Sequence, residues 1–326
     1  MSESRFNIDA SPWDLSTFKG RLKYFLWVTD PRLCLANDKT LEDAKNFRNL
    51  YRLGQEPNNT KLEDVMRAKQ LYESAFHPDT GEKQNVFGRM CFQVPGGMAI
   101  TGVMLSFYRT NTAIVFWQWI NQSFNAIVNY TNRNANSPLT ETQMGIAYGS
   151  ATAAACFTAI KLKSFLAKRS GPFLQRYIPF AAVAAANCVN IPLMRQNEIL
   201  KGVDILDENG NKVGTSKVAA VKGISQVILS RIVMCAPGML LLPIIMERLC
   251  NKSQWIRKNT WFHASFQTFG VGCFLLFMVP TACAIFPQIS SIKVSILKKV
   301  EPSSYAEILK TSKDNEPVVV FYNKGL

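Results

Sequence analysis

The chain has only 2 histidines among 326 residues, and its 8 cysteines include no C-x-x-C pair. A zinc framework is therefore not expected, and a haem or iron centre would have to join His77 to His263 from distant segments. No Walker loop, G-x-G-x-x-G or nucleophile elbow occurs, so the expectation is a non-enzyme without cofactor or bound metal. Acid is scarce beyond residue 89: residues 1–89 hold 14 basic and 13 acidic side chains, residues 90–326 hold 23 and 10. That excess makes up most of the net charge of +14 and gathers into short clusters between uncharged stretches. The pattern fits membrane spans with positive connectors and argues against a nucleic-acid stripe.

A helix crossing the hydrocarbon core needs about 20 mostly apolar residues. Uncharged runs approach or exceed that length at Met90–Tyr108, Thr110–Asn132, Thr142–Ile160, Tyr177–Met194 and Asn259–Ile292, with a shorter one at Ile232–Met246. The expected fold is all-α: a multipass helical membrane protein with about five spans, near 98–120, 145–165, 175–194, 227–246 and 266–287. The alternative for the first is two shorter pieces that part near Arg109. The run from Thr142 is rich in small residues, which lets membrane helices approach closely. Residues 1–95 are expected as a soluble or membrane-associated helical region, 96–289 as the bundle and 290–326 as a tail.

The first thirteen residues fit neither a secretory signal nor an Arg-rich transit peptide. Thr40-Leu41-Glu42-Asp43 predicts a helix start with Gly54 as its stop, and Thr60 to Glu63 a capping box opening a second helix. Asn209-Gly210, flanked by short apolar runs, predicts a small exposed hairpin in one connector.

Three constellations remain. His77-Pro78-Asp79-Thr80-Gly81 follows the second helix: Pro78 stops it and the turn behind it forms a structural joint or, as the sharper alternative, a gate. Asn121, Asn125 and Asn129 recur every four residues and share one helical face, with Gln118 and Gln122 beside it. Amides facing lipid are costly, so this face should hydrogen-bond between helices or line a substrate path. In Asn187-Cys188-Val189-Asn190-Ile191-Pro192-Leu193-Met194-Arg195, Pro192 removes a donor and is expected to break or kink the helix. Freed carbonyls and asparagine oxygens suit an ammonium, and Arg195 suits a carboxylate unless it merely snorkels to the interface. Pro237, Pro243 and Pro280 predict further breaks, and Arg231 is an intramembrane cation in need of a partner. Arg109 and Arg231 join His77, Pro78 and Asp79 as candidate gate or joint residues.

Thr29-Asp30-Pro31-Arg32, the His77 to Gly81 pentad, Phe107 to Thr110, Phe116 to Asn134, Pro179 to Arg195, Ser230-Arg231 and Ala236 to Met239 together resemble the sideroflexin family along the whole chain. Phe6 to Ala10, Pro95 to Met98 and Leu242 to Arg248 look most like its sideroflexin-2 branch. The resemblance implies a multipass carrier of the mitochondrial inner membrane for small neutral amino acids, serine above all, feeding one-carbon metabolism. It implies as the alternative a scaffold or assembly factor for iron and haem homeostasis, and it carries the family's Asn-x-Pro-x-x-Arg signature onto Asn190, Pro192 and Arg195. Expected partners are serine, the bilayer and other membrane proteins in homo- or hetero-oligomers, with no nucleic acid.

Overall fold

The computed structural model describes residues 5–78, 80–108, 110–132, 140–169, 172–311 and 317–325, with side chains omitted at 167–169, 172, 173 and 260. Asp79 and Arg109 thus lie outside the described residues. The N-terminal layer holds three helices. Helix α1, Phe18–Val28, is capped by the Thr17 hydroxyl, which accepts from the Gly20 amide. Helix α2, Asp38–Leu53, begins earlier than expected because Asn37 takes the capping position: its Oδ1 accepts from Thr40 N at 2.8 Å. Gly54 ends α2 at φ 74°, a conformation that favours glycine. Helix α3, Leu62–Ala75, starts after Lys61, whose amide donates to Asp64; the hydroxyl of Thr60 turns away to Pro57 O. The expected box is therefore displaced by one residue. Lys69 of α3 is wholly buried, with its ammonium on Glu73 and on Ile8 O.

Leu33, Leu41, Ala68, Leu71, Ala75 and Phe76 close the core between α2 and α3. The layer is pinned to the bundle through α1, where Phe25 and Val28 pack on Ala284 and Arg21 Nε donates to Ala284 O at 2.8 Å.

The bundle comprises α4 (Gln93–Phe107), α5 (Asn111–Thr131), α6 (Glu141–Arg169), a short α7 (Pro172–Gln175), α8 (Ile178–Met194), α9 (Gln196–Lys201), α10 (Lys217–Lys252), α11 (Gln254–Lys258) and α12 (Thr260–Ile285). The continuous span expected at 98–120 is absent. Thr110 caps α5, its hydroxyl accepting from Ala113 N at 3.1 Å, and that local bond outcompetes continuation of α4. The two-piece alternative holds. Among the described residues three helical segments, Met90–Phe107, Lys217–Lys252 and Trp261–Ile285, are long and apolar enough to cross a membrane, and Ile178–Met194 is a shorter apolar helix. The span expected at 227–246 falls within α10 and that at 266–287 overlaps α12 but overruns its end at Ile285, whereas α6 is long but less apolar.

Proline breaks α10 and α12 nowhere: Pro237, Pro243 and Pro280 lie inside continuous helices, and α8 runs through Pro192 to Met194. A membrane helix tolerates the lost amide donor because neighbouring groups re-satisfy the backbone. Small residues set the helix spacing. Ala147, Ala151, Ala155 and Ala159 form a fully buried stripe on α6, where Ala159 joins Ile178 and Ala182 of α8. On α4, Gly102 admits Thr268 of α12 so closely that an added Cβ would sit 2.3 Å from the Thr268 Cα.

The expected hairpin is present as β1 (Val203–Leu206) and β2 (Lys212–Ser216), turned by Gly210 at φ 83° and by Asp207 Oδ1, which accepts from Asn209 N and Asn211 N. It does not stand alone. Strands β3 (Ile289–Lys293) and β4 (Val319–Asn323) complete an antiparallel sheet of order β2-β1-β4-β3. Helices α13 (Val294–Val300) and α14 (Pro302–Thr311) cover it over a core of Ile205, Val213, Ile292, Leu297, Ile308 and Tyr322. The segment after residue 290 thus folds onto the connector between α9 and α10.

Candidate functional site

The amide face of α5 turns inward. Gln118, Asn121 and Gln122 are all buried, and Asn125 is half-buried. Gln118 Nε2 donates to Tyr108 OH at 2.7 Å, but Gln118 Oε1, Asn121 Nδ2 and Gln122 Nε2 have no hydrogen-bond partner. Ser230 Oγ on α10 and Gln267 Oε1 on α12 share that condition. Each such orphan costs roughly 1–3 kcal/mol when left unmade. Three within five residues of one helix call for a complementary polar molecule or water. They offer two N–H donors and one carbonyl acceptor, the set that a small zwitterion needs. Asn187 and Asn190, three residues apart on one side of α8, are buried as well.

Arg231, the intramembrane cation, meets the same amide row: its Nη2 donates to Asn129 Oδ1 at 3.4 Å and ties α10 to α5.

Arg195 has two fixed partners. Its guanidinium forms an ion pair with Glu198, one turn on in α9, and Nη1 donates to Lys324 O at 2.6 Å. At Gly325, φ 74°, an added Cβ would stand 3.1 Å from that guanidinium. Lys324 itself is buried, and burial pulls its ammonium below the ordinary lysine range. Arg195 therefore joins α8, α9 and the end of β4, and it would have to exchange Glu198 for any substrate carboxylate.

The pentad after α3 forms a tight joint. His77 N donates to Glu82 O at 2.8 Å, Gly81 N to His77 O at 2.9 Å, and Gly81 adopts φ 67°. Thr80 N donates to His77 Nδ1 at 3.4 Å. Pro78 is exposed at the tip. Gln84 carries the joint to the end of α5 through Asn132 Oδ1 at 3.2 Å, and Asn132 Nδ2 returns a bond to Gly88 O. Between the joint and the bundle lies a cavity of about 710 Å³, lined by His77 and Gln84, by Tyr130 of α5, by Met144 and Tyr148 of α6, and by Met194 of α8.

Two motifs singled out in the sequence, the pentad and the end of the Pro192 segment, thus meet at one cavity. The α5 amides lie further along the helix whose last turn walls it. Met144 and Tyr148 carried no sequence signal of their own. The Tyr148 hydroxyl pairs with Ser123 Oγ at 2.9 Å, a link visible only once α5 and α6 pack. Among the described residues no three His, Cys, Asp or Glu side chains gather as a metal site.

Long apolar helices packed around buried amides, with a small antiparallel sheet beside them, define a multipass helical membrane protein. The Sideroflexins family model matches residues 7–326, and the chain belongs to the sideroflexin family. It is 55% identical over 320 residues to Sideroflexin-2 of Drosophila melanogaster, covering 98% of each chain, and 53% identical to Sideroflexin-2 of Homo sapiens over 99% of this chain and 98% of that one. Identity to Sideroflexin-1 of Homo sapiens is 48%, over 98% and 97% of the two chains. No solved structure matches.

Proposed function

We propose that the chain transports small neutral amino acids, serine foremost, across the mitochondrial inner membrane, in support of one-carbon metabolism. The observation that carries this reading is the trio of unpartnered buried amide atoms on α5. A zwitterion brings two charges of opposite sign whose desolvation must be met by directional polar groups. Asn121 Nδ2 and Gln122 Nε2 donate to the carboxylate; Gln118 Oε1 accepts from the ammonium, with Asn187 and Asn190 of α8 as the facing wall. Neutral amides bind both charged groups without an opposite charge that would hold the substrate too tightly to release. A small hydroxylated side chain satisfies a remaining group such as Ser230 Oγ, whereas a charged side chain finds no counter-ion among the orphaned atoms of α5, α10 and α12. The cavity at the His77 joint is the vestibule, with His77 and Pro78 at its gate and the Arg231 to Asn129 bond holding the path closed on the α10 side.

The test is uptake by the purified full-length chain in liposomes. Labelled serine should enter saturably and be displaced by other small neutral amino acids. Asn121→Ala, Gln122→Ala and Asn190→Ala should each lose uptake while remaining folded. A wild-type protein without uptake that co-purifies stoichiometrically with membrane partners would replace this reading with the scaffold.

A further inference from the structure

Two of the cysteines meet. Cys34 stands in the 3-10 turn Pro31–Leu35 between α1 and α2, and Cys91 in the turn Met90–Phe92 that leads into α4; their sulfurs are 3.3 Å apart although 57 residues separate them. Both are free thiols, and no other pair of cysteine sulfurs meets among the described residues. The pair is asymmetric: Cys91 is wholly buried in the core of α2 and α3, while Cys34 is half-buried and reaches solvent. The bond to the Cys91 sulfur, with the Arg89 guanidinium nearby, brings the Cys34 thiol below the ordinary cysteine range, which favours the thiolate that reacts. A bonded pair needs sulfurs about 2.05 Å apart. The turns need therefore close by little more than an ångström.

We propose that Cys34 and Cys91 are a reversible dithiol–disulfide pair, oxidised by hydrogen peroxide, that fastens the N-terminal helical layer to the start of the first membrane segment. The Cys34 thiolate attacks one peroxide oxygen, the O–O bond breaks and hydroxide leaves, which takes up the thiol proton as water. The resulting Cys34 sulfenic acid faces Cys91. The Cys91 sulfur attacks the Cys34 sulfur, the S–S bond forms, the S–O bond breaks and a second water departs with the Cys91 proton. One peroxide is reduced for each pair of thiols oxidised. The crosslink ties the turn before α2 to the turn before α4, so the layer carrying the His77 joint and the bundle beneath it lose relative freedom.

The experiment uses the purified full-length chain treated with graded peroxide, alkylated, and mapped by mass spectrometry before and after reductant. Wild type should fall from eight alkylatable cysteines to six, with a peptide joining the segments around Cys34 and Cys91, and should recover all eight on reduction. Cys91→Ser should instead accumulate a Cys34 sulfenic acid that a dimedone probe captures, and Cys34→Ser should keep its remaining thiols over the same peroxide range. Hydrogen exchange at 31–35 and 90–92 should slow on oxidation in wild type alone. Retention of both thiols at peroxide levels that oxidise other cysteines of the chain, or a crosslink through a different pair, would overturn the assignment.

Discussion

Replacing Gly102 by alanine puts a methyl group 2.3 Å from the Thr268 Cα, 2.6 Å from its hydroxyl and 2.8 Å from its amide nitrogen. Carbon–carbon contacts settle at about 3.5–4.0 Å, so α4 and α12 must separate by more than about an ångström. Two of the three obstructing atoms are backbone and cannot swing aside. Overpacking of this kind costs about 1–3 kcal/mol, against which alanine recovers about 0.5–1 kcal/mol of helix propensity. A net loss of about 1–2 kcal/mol remains, roughly a five- to thirtyfold fall in the ratio of folded to unfolded protein. Gly149 of α6 provides the matched control, since a Cβ there meets nothing within 4 Å and only the propensity gain operates. Thermal unfolding of the two variants in the same detergent should place Gly102→Ala below wild type and Gly149→Ala at or above it. A Gly102→Ala protein as stable as Gly149→Ala would refute close packing of α4 on α12 as the reason for glycine there.

Lys69→Met should release the N-terminal strap, because the ammonium holding Ile8 O and Glu73 is lost; about 1–3 kcal/mol of local stability goes with it, read as faster proteolysis before residue 18. Glu301 caps the start of α10, accepting from Ser216 Oγ at 2.6 Å and Lys217 N at 3.0 Å. Burial raises its carboxyl, yet these bonds together leave it below the ordinary glutamate range. Its contribution is present above that range and fades as pH falls through the lowered value, so acid should melt the sheet and its helices in wild type and affect Glu301→Gln less, by circular dichroism. Arg231→Gln should cut uptake about tenfold or more by breaking the tie to Asn129, and Asn129→Asp should preserve it, since a carboxylate holds the guanidinium at least as well.

Much of this architecture was legible as local pattern. The four-residue recurrence of amides in α5 predicted a buried polar face, and Asn-Gly predicted the hairpin, because each rests on contacts within a few residues. Three features were less legible, and the last two of them rest on long-range partners. The span across Arg109 is divided because the Thr110 cap wins locally, a signal present in the sequence but weaker than the apolar run around it. The segment after residue 290 reads as a polar tail, yet alternate burial of Ser290 and Ile292 makes β3 a strand once β4 pairs with it. Arg195 carries the signature of an anion site, and only the fold brings Lys324 O from the far end of the chain onto its guanidinium. Proline was over-read for a related reason: it removes a hydrogen bond, but packed neighbours keep α8, α10 and α12 continuous.

The central claim is that the orphaned amides of α5 bind the substrate, and competition between serine and its fragments tests it most directly. Purified chain in liposomes should take up labelled serine saturably, with Asn121→Ala and Gln122→Ala reducing uptake at unchanged thermal stability. Ethanolamine, which lacks the carboxylate, should compete no better against wild type than against those variants. Uptake in both variants equal to wild type would contradict the account.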